Sequence, residues 1–557
     1  MARPIPSCGP PMASVMWWAP LLLVLPAVSA ADPAPWWASA VYYRVLVDSF
    51  KDGDGDGLGD LMGAIKQISY VRALGADAVI LSSLVARSAE CAAPGVLDHT
   101  LQDNRYGNLE TLTALLDKAK KLELKAVITV PLQTVSSKSE WFGASANRTS
   151  GFEDWILWKE GNPDEVPPAE PGVPFWIWHE ERKAYWASSN REAILNLCSE
   201  GVSAALTTAQ CAWLRRGFNG VLLTPDYPVD QSCAEKLVRK MAAEAMSCVR
   251  ASNLETPVIL VESSQSPDIS ARYYADGGVG ANSVLSTAMT ASVRTTAPDM
   301  ALAMYAAILN APVDGVPTWM TSYTNESRLA TRLGNVMVDA INILTLTLPG
   351  ATIIQQGDEL GAADTILEMS AAAETCWPEQ PSPALAPFSW DDKANAGFTG
   401  GNPWIPLSPN YRYANAKTQF NNDGSHAGVV RVAAAMRKSP AIGPHVEIKR
   451  LGQAVAVLRW GGHGSLMAVA NVGRDQTEAQ LSRVPGLPAE MTVAASSAGS
   501  SLSPGSHVSL EKILKLSPGE AVLLAGAPRH CGGPGPVDKI TSKLAEGWQK
   551  INKYFNN

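Results

Sequence analysis

Short, nearly continuous apolar segments alternate with amphipathic segments between about residues 41 and 430, and this alternation constrains the fold more than any other feature. The apolar segments include residues 78–82, 124–130, 220–224 and 257–262, and residues 111–122 have helical spacing. Nearly continuous apolar strands separated by helices indicate a parallel sheet covered on both faces. Over this length the pattern favours an α/β fold of the closed (β/α)8 type, a TIM barrel, over an open sheet.

Changes in composition along the chain predict the domain boundaries. Residues 135–191 are rich in Trp, Pro, Glu and Gly, which predicts an irregular subdomain inserted after the third strand. Beyond residue 430 short alternating strands predict an antiparallel β-sandwich. The predicted units are a signal segment (1–30), the barrel (31–134 and 192–430), the inserted subdomain (135–191), the sandwich (431–526), a Gly/Pro linker (527–536) and a final helix (537–557).

The first thirty residues predict export. Arg3 precedes an apolar run over residues 15–28, and the small residues Ser29 and Ala30 follow it, which is typical of a cleaved secretory signal. The run is shorter than the roughly 20 residues of a membrane span. We therefore expect a secreted, extracellular protein, and the alternative is a single-pass type II membrane protein held by a signal-anchor. A net charge of −8 gives no reason to expect nucleic acid as a partner.

Cysteine usage fits an oxidising compartment. Cys8 would leave with the signal, and the mature chain would keep Cys91, Cys198, Cys211, Cys233, Cys248, Cys376 and Cys531. An odd number leaves one thiol free or paired with another chain, and we predict an intermolecular disulfide at Cys531. Sequons at Asn147 and Asn325 predict glycosylation of a secreted protein.

An aspartate-rich loop follows the first predicted strand. Its predicted ligands are the side chains of Asp52, Asp54, Asp56 and Asp60 and the carbonyl of Leu58. Hard oxygen ligands of this kind suit Ca²⁺. Gly63 stands where an EF-hand would have its bidentate Glu, so the loop is not an EF-hand. We expect a structural calcium site, and the alternative is a solvated Asp-Gly turn.

The final segment predicts an amphipathic helix over residues 539–555. Its apolar residues are Ile540, Leu544, Trp548, Ile551 and Phe555, at 4-4-3-4 spacing along one face, and lysines flank them. An isolated helix of this length is marginal in water, so its apolar face must dock. The partner is the chain itself, another protein or an anionic membrane surface.

Eight segments together resemble the α-amylase superfamily, glycoside hydrolase family 13. They are residues 41–44, 49–60, 106–110, 317–320, 327–335, 347–350, 356–361 and 387–398. In pattern the chain is similar to insect maltases and to the heavy-chain subunits of heteromeric amino-acid transporters. The resemblance implies a glycosidase barrel, and its first-loop segment is similar to the family's calcium site.

Glycoside hydrolysis requires two carboxylates that flank the bond. The family's nucleophile motif, Gly-x-x-Gly-Phe-Arg-x-Asp, aligns with residues 217–224, so the resemblance puts Leu222 at the Arg and Thr224 at the nucleophile. Glu262 is retained at the acid/base position. The other matched positions have also changed: Asn325 replaces the third carboxylate, Thr324 its neighbouring His, and Thr129, Gln133 and Thr134 an Asp, an Asn and a His.

These replacements predict a non-catalytic protein that acts by binding a protein partner or a glycan. It would be either a secreted pseudoenzyme or a subunit like the transporter heavy chains. Asp226 lies two residues beyond the nucleophile position, and we expect this shift to move its carboxylate several ångström away. The alternative is an active α-glucosidase of family 13 with a rearranged nucleophile.

Overall fold

The computed structural model describes residues 35–529 except 91, 227–228, 251–254, 276–277, 291–294, 313–314, 324–325 and 368–381. Several predictions fall outside the described residues: the signal segment, Thr324, Asn325, the final helix, and the cysteines Cys8, Cys91, Cys376 and Cys531. They stay predictions.

Twenty-three strands and twelve α-helices lie within the described residues. The strands are β1 (Val41–Val45), β2 (Ala78–Leu81), β3 (Val85–Arg87), β4 (Val96–Gln102), β5 (Lys125–Pro131), β6 (Thr134–Val135), β7 (Trp158–Glu160), β8 (Phe175–His179), β9 (Ala184–Ser189), β10 (Glu192–Ile194), β11 (Gly220–Thr224), β12 (Val258–Val261), β13 (Ser283–Ser286), β14 (Val316–Met320), β15 (Ala351–Gln355), β16 (His445–Leu451), β17 (Ala454–Trp460), β18 (Ser465–Asn471), β19 (Thr477–Gln480), β20 (Glu490–Ser496), β21 (His507–Ser509), β22 (Ile513–Leu516) and β23 (Ala521–Gly526).

The helices are α1 (Val47–Phe50), α2 (Leu61–Ala73), α3 (Leu109–Lys121), α4 (Glu140–Ala146), α5 (Glu200–Arg215), α6 (Gln231–Val249), α7 (Pro267–Ser270), α8 (Ala297–Asn310), α9 (Leu329–Leu333), α10 (Val338–Thr347), α11 (Ala416–Gln419) and α12 (His426–Arg437). Side chains cap several of them, as when Asp60 accepts a hydrogen bond from the amide of Gly63 at the start of α2. None of these described helices is long and apolar enough to cross a membrane.

Eight strands form a closed parallel barrel in the order β1, β15, β14, β13, β12, β11, β5, β2. Alternate side chains of each strand fill the interior, where Tyr42, Leu222 and Leu260 belong to one buried apolar cluster. Their neighbours Tyr43 and Val221 belong to the larger cluster between the barrel and its surrounding helices. The predicted TIM barrel is confirmed.

A separate sheet occupies the segment between β5 and α5. Its strands are ordered β6, β10, β9, β7, and β8 pairs with the other side of β9. Phe142 on α4 packs against this sheet, with its ring centroid 5.3 Å from that of Trp186 and 5.6 Å from that of Trp158. Aromatic packing thus joins this Trp-rich segment to the large cluster of buried residues around the barrel.

The C-terminal part is an antiparallel β structure, as the sequence predicted. A six-stranded sheet has the order β16, β17, β18, β23, β20, β21, and β19 pairs with β22 in a second sheet. Buried apolar side chains, among them Met467, Ala479 and Leu516, lie in one cluster between the two sheets.

A buried carboxylate joins this C-terminal part to the barrel. Asp339 on α10 is 2% exposed. One of its oxygens lies 2.7 Å from Nδ1 of His426 at the start of α12, and the other accepts a hydrogen bond of 2.8 Å from the amide of Ala498. Three separate parts of the chain therefore meet at one side chain.

Two disulfides connect the regions on either side of β11. Cys198 pairs with Cys233, and Cys211 pairs with Cys248. Each closes a loop of 35 to 37 residues in sequence. On a chain-entropy argument each bridge contributes about 3–4 kcal/mol to the free energy of unfolding. The predicted use of cysteines in disulfides is confirmed for these four residues.

A second buried carboxylate ties the first barrel strand to the loop after β15. Glu359 is fully buried, and one of its oxygens accepts hydrogen bonds from the hydroxyls of Tyr43 at 2.8 Å and Tyr70 at 2.9 Å. Burial raises the pKa of Glu359 to about 7, although the two phenol hydrogen bonds act in the opposite direction. The folded protein therefore holds this proton over a pH range in which the unfolded chain has lost it.

We predict that Glu359 makes the protein less stable as the pH rises from about 4.5 to about 7. Because its folded pKa lies above its unfolded value, its contribution is complete below pH 4.5 and is lost on passing pH 7. In Glu359→Gln the acidic proton is absent. Between pH 5 and pH 8 the free energy of unfolding, measured with urea, should fall by about 2.5 kcal/mol more in the wild-type protein than in the variant. If the free energy of unfolding changes equally in the two proteins between pH 5 and pH 8, this account is wrong.

Candidate active site

The carboxyl end of the barrel contains a buried ion pair. Arg44 on β1 donates from Nη1 to Oε1 and from Nη2 to Oε2 of Glu262, both at 3.0 Å. The two side chains are only 2% and 10% exposed. Since β1 and β12 lie on opposite sides of the barrel, the pair spans its interior.

Sequence reasoning identified Glu262 but missed Arg44. A signal was present, because Arg44 is a charged residue inside an otherwise apolar and aromatic strand, two positions after the inward-facing Tyr42. The period-two alternation of a strand places both side chains on the same face. The sequence of the strand does not show which residue Arg44 contacts.

The two replaced positions of the nucleophile motif lie on β11. Leu222 is 1% exposed and lies in the apolar cluster that fills the barrel. Thr224 is the last residue of β11 and is half-buried. Neither side chain carries a charge, so this strand itself supplies no nucleophilic carboxylate.

Asp226, two residues later, lies beside the end of the neighbouring strand. Its Oδ1 accepts a hydrogen bond from the hydroxyl of Ser263 at 2.5 Å. Its Oδ2 accepts two from Ser264, from the amide and from the hydroxyl, each at 2.5 Å. Ser263 and Ser264 directly follow Glu262, so the loop after β11 brings a second carboxylate to the strand end that carries the first.

Gln133 fixes the backbone of this loop. Its side-chain amide donates to the carbonyl of Thr224 at 3.2 Å and also to the carbonyl of Asp226. The residue that replaces the family's Asn thus holds the segment between Thr224 and Asp226 in place.

Tyr323 contacts the backbone of the residue after Glu262. Its hydroxyl donates to the carbonyl of Ser263 at 3.2 Å. Burial raises the pKa of Tyr323, and the negative charges of Glu262 and Asp226 raise it further. The Tyr323 phenol thus connects the segment after β14 to the residues that follow Glu262.

The remaining replaced positions make local structural contacts. Thr129 donates its hydroxyl to the carbonyl of Leu81 at 2.9 Å. Thr134 donates to Glu192, which also forms a 2.8 Å ion pair with Arg87. These threonines support the strands at the barrel mouth, whereas Thr324 and Asn325 lie outside the described residues.

The aspartate-rich loop brings three of its four carboxylates together. Ligand oxygens of Asp52, Asp54 and Asp60 lie within 4.8 Å of one another, and Asp56 is not part of this group. Burial raises the pKa of Asp60, and the charges of Asp54 and Asp52 add to that effect. Gly57 has φ +100°, and a Cβ there would lie 1.9 Å from the carbonyl oxygen of Asn402. The loop is therefore closely packed against the segment near residue 400.

Comparison with known proteins identifies the family. The model of the family described as alpha amylase, catalytic domain, matches residues 44–443, well over half of the chain. The chain therefore belongs to the alpha-amylase family.

Curated relatives extend over most of the chain. Maltase 1 of Drosophila virilis is 27% identical over 523 residues, which cover 83% of this chain and 82% of the relative. The salivary alpha-glucosidase of Aedes aegypti is 24% identical over 482 residues, covering 76% of this chain and 83% of the relative. The alpha-glucosidase of Apis mellifera is 25% identical over 446 residues, covering 72% and 78%.

Solved structures share the fold. The alpha-glucosyl transfer enzyme XgtA superposes with a TM-score of 0.75 at 23% identity, covering 89% of this chain and 100% of that chain. The trehalulose synthase MutB from Pseudomonas mesoacidophila MX-45 gives 0.74 at 20% identity, covering 88% and 100%. At these identities the likeness supports the fold alone.

The expectation of a non-catalytic protein is wrong, in its secreted form and in its transporter-subunit form. The relatives that cover most of this chain are named as maltases and alpha-glucosidases. The sequence argument rested on the loss of two of the family's three carboxylates and of both histidines. It expected the two-residue shift to move the Asp226 carboxylate several ångström from the nucleophile position, whereas in the structure this carboxylate contacts Ser263 and Ser264, the residues after Glu262.

We predict that Arg44 and Glu262 are strongly coupled in stability. Removing one partner leaves a buried charge facing an apolar side chain, so Arg44→Met and Glu262→Met should each lower the free energy of unfolding by about 3–5 kcal/mol. The double variant should lose less than the sum of the two. Urea unfolding of the four proteins gives the coupling energy.

The exposed pair of Arg72 and Glu123, at 3.1 Å, is the matched control. Its coupling should stay below about 1 kcal/mol because water screens it. Equal coupling in the two cycles would show that the barrel pair is not a buried ion pair in solution.

Proposed function

We propose that this protein is an α-glucosidase of the alpha-amylase family in which Glu262 and Asp226 form the catalytic carboxylate pair. The observation that carries the proposal is the pair of contacts from the Asp226 carboxylate to Ser263 and Ser264, the residues after Glu262. The printed names of the relatives support the substrate class, since they are maltases and alpha-glucosidases.

In this proposal Asp226 is the nucleophile of a retaining mechanism. Its carboxylate attacks the anomeric carbon, and the glycosidic bond breaks with its electron pair on the leaving oxygen. Glu262 gives a proton to that oxygen. Water then bonds to the anomeric carbon of the glycosyl-aspartate ester and gives a proton to Glu262, and the bond to Asp226 breaks with its electron pair on the carboxylate. The hydroxyl and amide contacts of Asp226 hold its carboxylate in a fixed direction before sugar binds.

We propose an extracellular location. Two disulfides are typical of proteins exposed to oxidising surroundings, and two of the relatives are salivary alpha-glucosidases. Asn147 follows the last residue of α4 and is exposed, so its sequon is accessible to glycosylation.

We also propose a structural Ca²⁺ ion in the first loop. Carboxylate oxygens of Asp52, Asp54 and Asp60 form a donor set that suits a hard cation, and a cation would relieve their mutual repulsion. The carbonyl of Leu58 and the side chain of Asp56 complete the set expected from the sequence. The ion would fix the loop between β1 and α2 and would take no part in bond cleavage.

We predict that Ca²⁺ raises the melting temperature and that EDTA lowers it. At a hundredfold excess over its dissociation constant, a bound ion adds about 2.7 kcal/mol to the free energy of unfolding. Asp54→Asn should remove most of this response, whereas Asp117→Asn, an exposed change on α3, should leave it intact. A melting temperature that is the same with Ca²⁺ and with EDTA would count against the site.

We predict that the wild-type protein releases glucose from p-nitrophenyl α-glucoside and that Asp226→Asn lowers kcat at least about a thousandfold, because the nucleophile is lost. A 5-fluoro-α-glucosyl fluoride should trap the ester, and peptide mass spectrometry should place the sugar on Asp226. Glu262→Gln should lower kcat as well, since water is then no longer deprotonated.

Asp230→Asn is the matched control in the same loop. Asp230 caps α6 through the amide of Ser232, and Asn caps helices equally well, so this variant should keep full activity. Absence of product from the folded wild-type protein would refute the proposed function. A label on another carboxylate would keep the function but replace Asp226 as its nucleophile.

A further inference from the structure

One side of helix α8 exposes apolar side chains to solvent. Leu302 and Leu309 are 55% and 66% exposed. Pro298 and Tyr305 lie on the same side, so apolar residues recur there at spacings of four, three and four. The one charged residue of α8 is Asp299, which completes the capping box in its first turn. Helices that are apolar on all sides are normally covered on all sides.

Helix α10 shows how such a helix is covered elsewhere in this protein. It is also largely apolar, and all of its residues are buried, because β18 and β23 of the C-terminal sheet pack over it. Helix α3, by contrast, has the exposed charged residues Asp117 and Lys120 on its outer side. Helix α8 thus has the composition of a covered helix, although the described residues leave its outer side open.

The described part of the chain ends beside α8. The hydroxyl of Tyr305 on α8 donates to the carbonyl of Ile448 at 2.6 Å and accepts from its amide at 3.1 Å. The preceding residue of β16, Glu447, forms a buried ion pair of 2.6 Å with Arg529, the last described residue. Residues 530–557, the tail, therefore begin next to the edge strand that anchors α8.

We infer that the helix predicted over residues 539–555 docks along the exposed side of α8 in the same chain. Its apolar residues recur every three or four positions, as those of α8 do, and two such stripes pack along each other. The two helices also match in length, at about 21 Å for α8 and about 25 Å for the tail helix. The lysines beside the tail stripe would stay in water.

The linker before the tail helix favours this occupant over a separate partner. Residues 530–538 reach about 30 Å when extended. That reach is enough to pass the edge of the sheet and the width of a helix, each roughly 10 Å. A segment tethered this closely has an effective concentration of the order of millimolar, so contact within the chain forms more readily than contact with a dilute partner.

The test is hydrogen exchange of the full-length protein in lipid-free solution, followed by mass spectrometry. A synthetic peptide of residues 537–557 should exchange fast, because an isolated helix of this length is marginal in water. In the protein, the amides of residues 543–555 should exchange at least about tenfold more slowly than in the peptide. Leu302→Glu with Leu309→Glu should remove most of this protection, because docking would then bury two carboxylates.

The matched control is Leu101→Glu with Leu109→Glu. These leucines are 55% and 53% exposed and lie on β4 and α3, so the control adds the same charges to another part of the surface. It should leave the exchange of the tail unchanged. If the α8 variant with two glutamates does not fold, Leu302→Ala with Leu309→Ala removes the same contacts without added charge and should also speed exchange of the tail.

Other results would overturn the inference and identify a different occupant. Tail amides that exchange as fast as in the peptide would show that the tail does not dock in the isolated protein, and slowing only with vesicles that contain phosphatidylserine would assign it to a membrane. Protection lost on dilution would assign the tail to a second copy of the chain. Protection that survives in the α8 variants would assign it to another surface. No readout uses catalysis, so the proposed function stands or fails separately.

Discussion

Closure of the barrel is the constraint on which the rest of this structure depends. Once eight parallel strands close, every second side chain points inward, and water is excluded from the space they fill. Tyr42, Leu222 and Leu260 occupy that space with apolar groups. Arg44 lies two residues after Tyr42, and Glu262 lies two residues after Leu260, so both face inward. A charge at such a buried position is tolerated only if an opposite charge pairs with it. The ion pair is thus a direct consequence of inward-facing charges at the barrel's carboxyl end.

Most of the fold could be predicted from local patterns. The apolar segments at residues 78–82, 220–224 and 257–262 became β2, β11 and β12 because nearly continuous apolar strands need cover on both faces. The alternating segments after residue 430 became the strands of the C-terminal sheets, because successive side chains of a strand point to opposite faces of the sheet. A periodic pattern does not specify whether the sequons are glycosylated, nor which surface the predicted tail helix contacts.

The site was predictable only in part. Alignment of motifs placed Leu222 and Thr224 on one strand and Glu262 at the end of another, and in the structure the first two lie on β11 and Glu262 directly follows β12. It could not reveal the contact of Arg44 with Glu262, because 218 residues separate the two and only barrel closure brings them together. Nor could it reveal that Asp226 contacts Ser263, since that depends on the path of an irregular loop. The expectation of an inactive protein was drawn from residues replaced at matched motif positions, and those positions do not include the contact that this loop makes.

Asp339 has a consequence for how this protein can be divided. Its carboxylate accepts a hydrogen bond from the backbone of the C-terminal part while it also contacts His426, and apolar residues of β17 and β18 belong to the same buried cluster as those of α10. A fragment that stops after the barrel would expose that apolar surface and leave the inward-facing carboxylate without its amide donor. The C-terminal sheets therefore support the last barrel helices by packing against them and are not an independent domain. Recombination between relatives should preserve function only when both parts are inherited from the same parent.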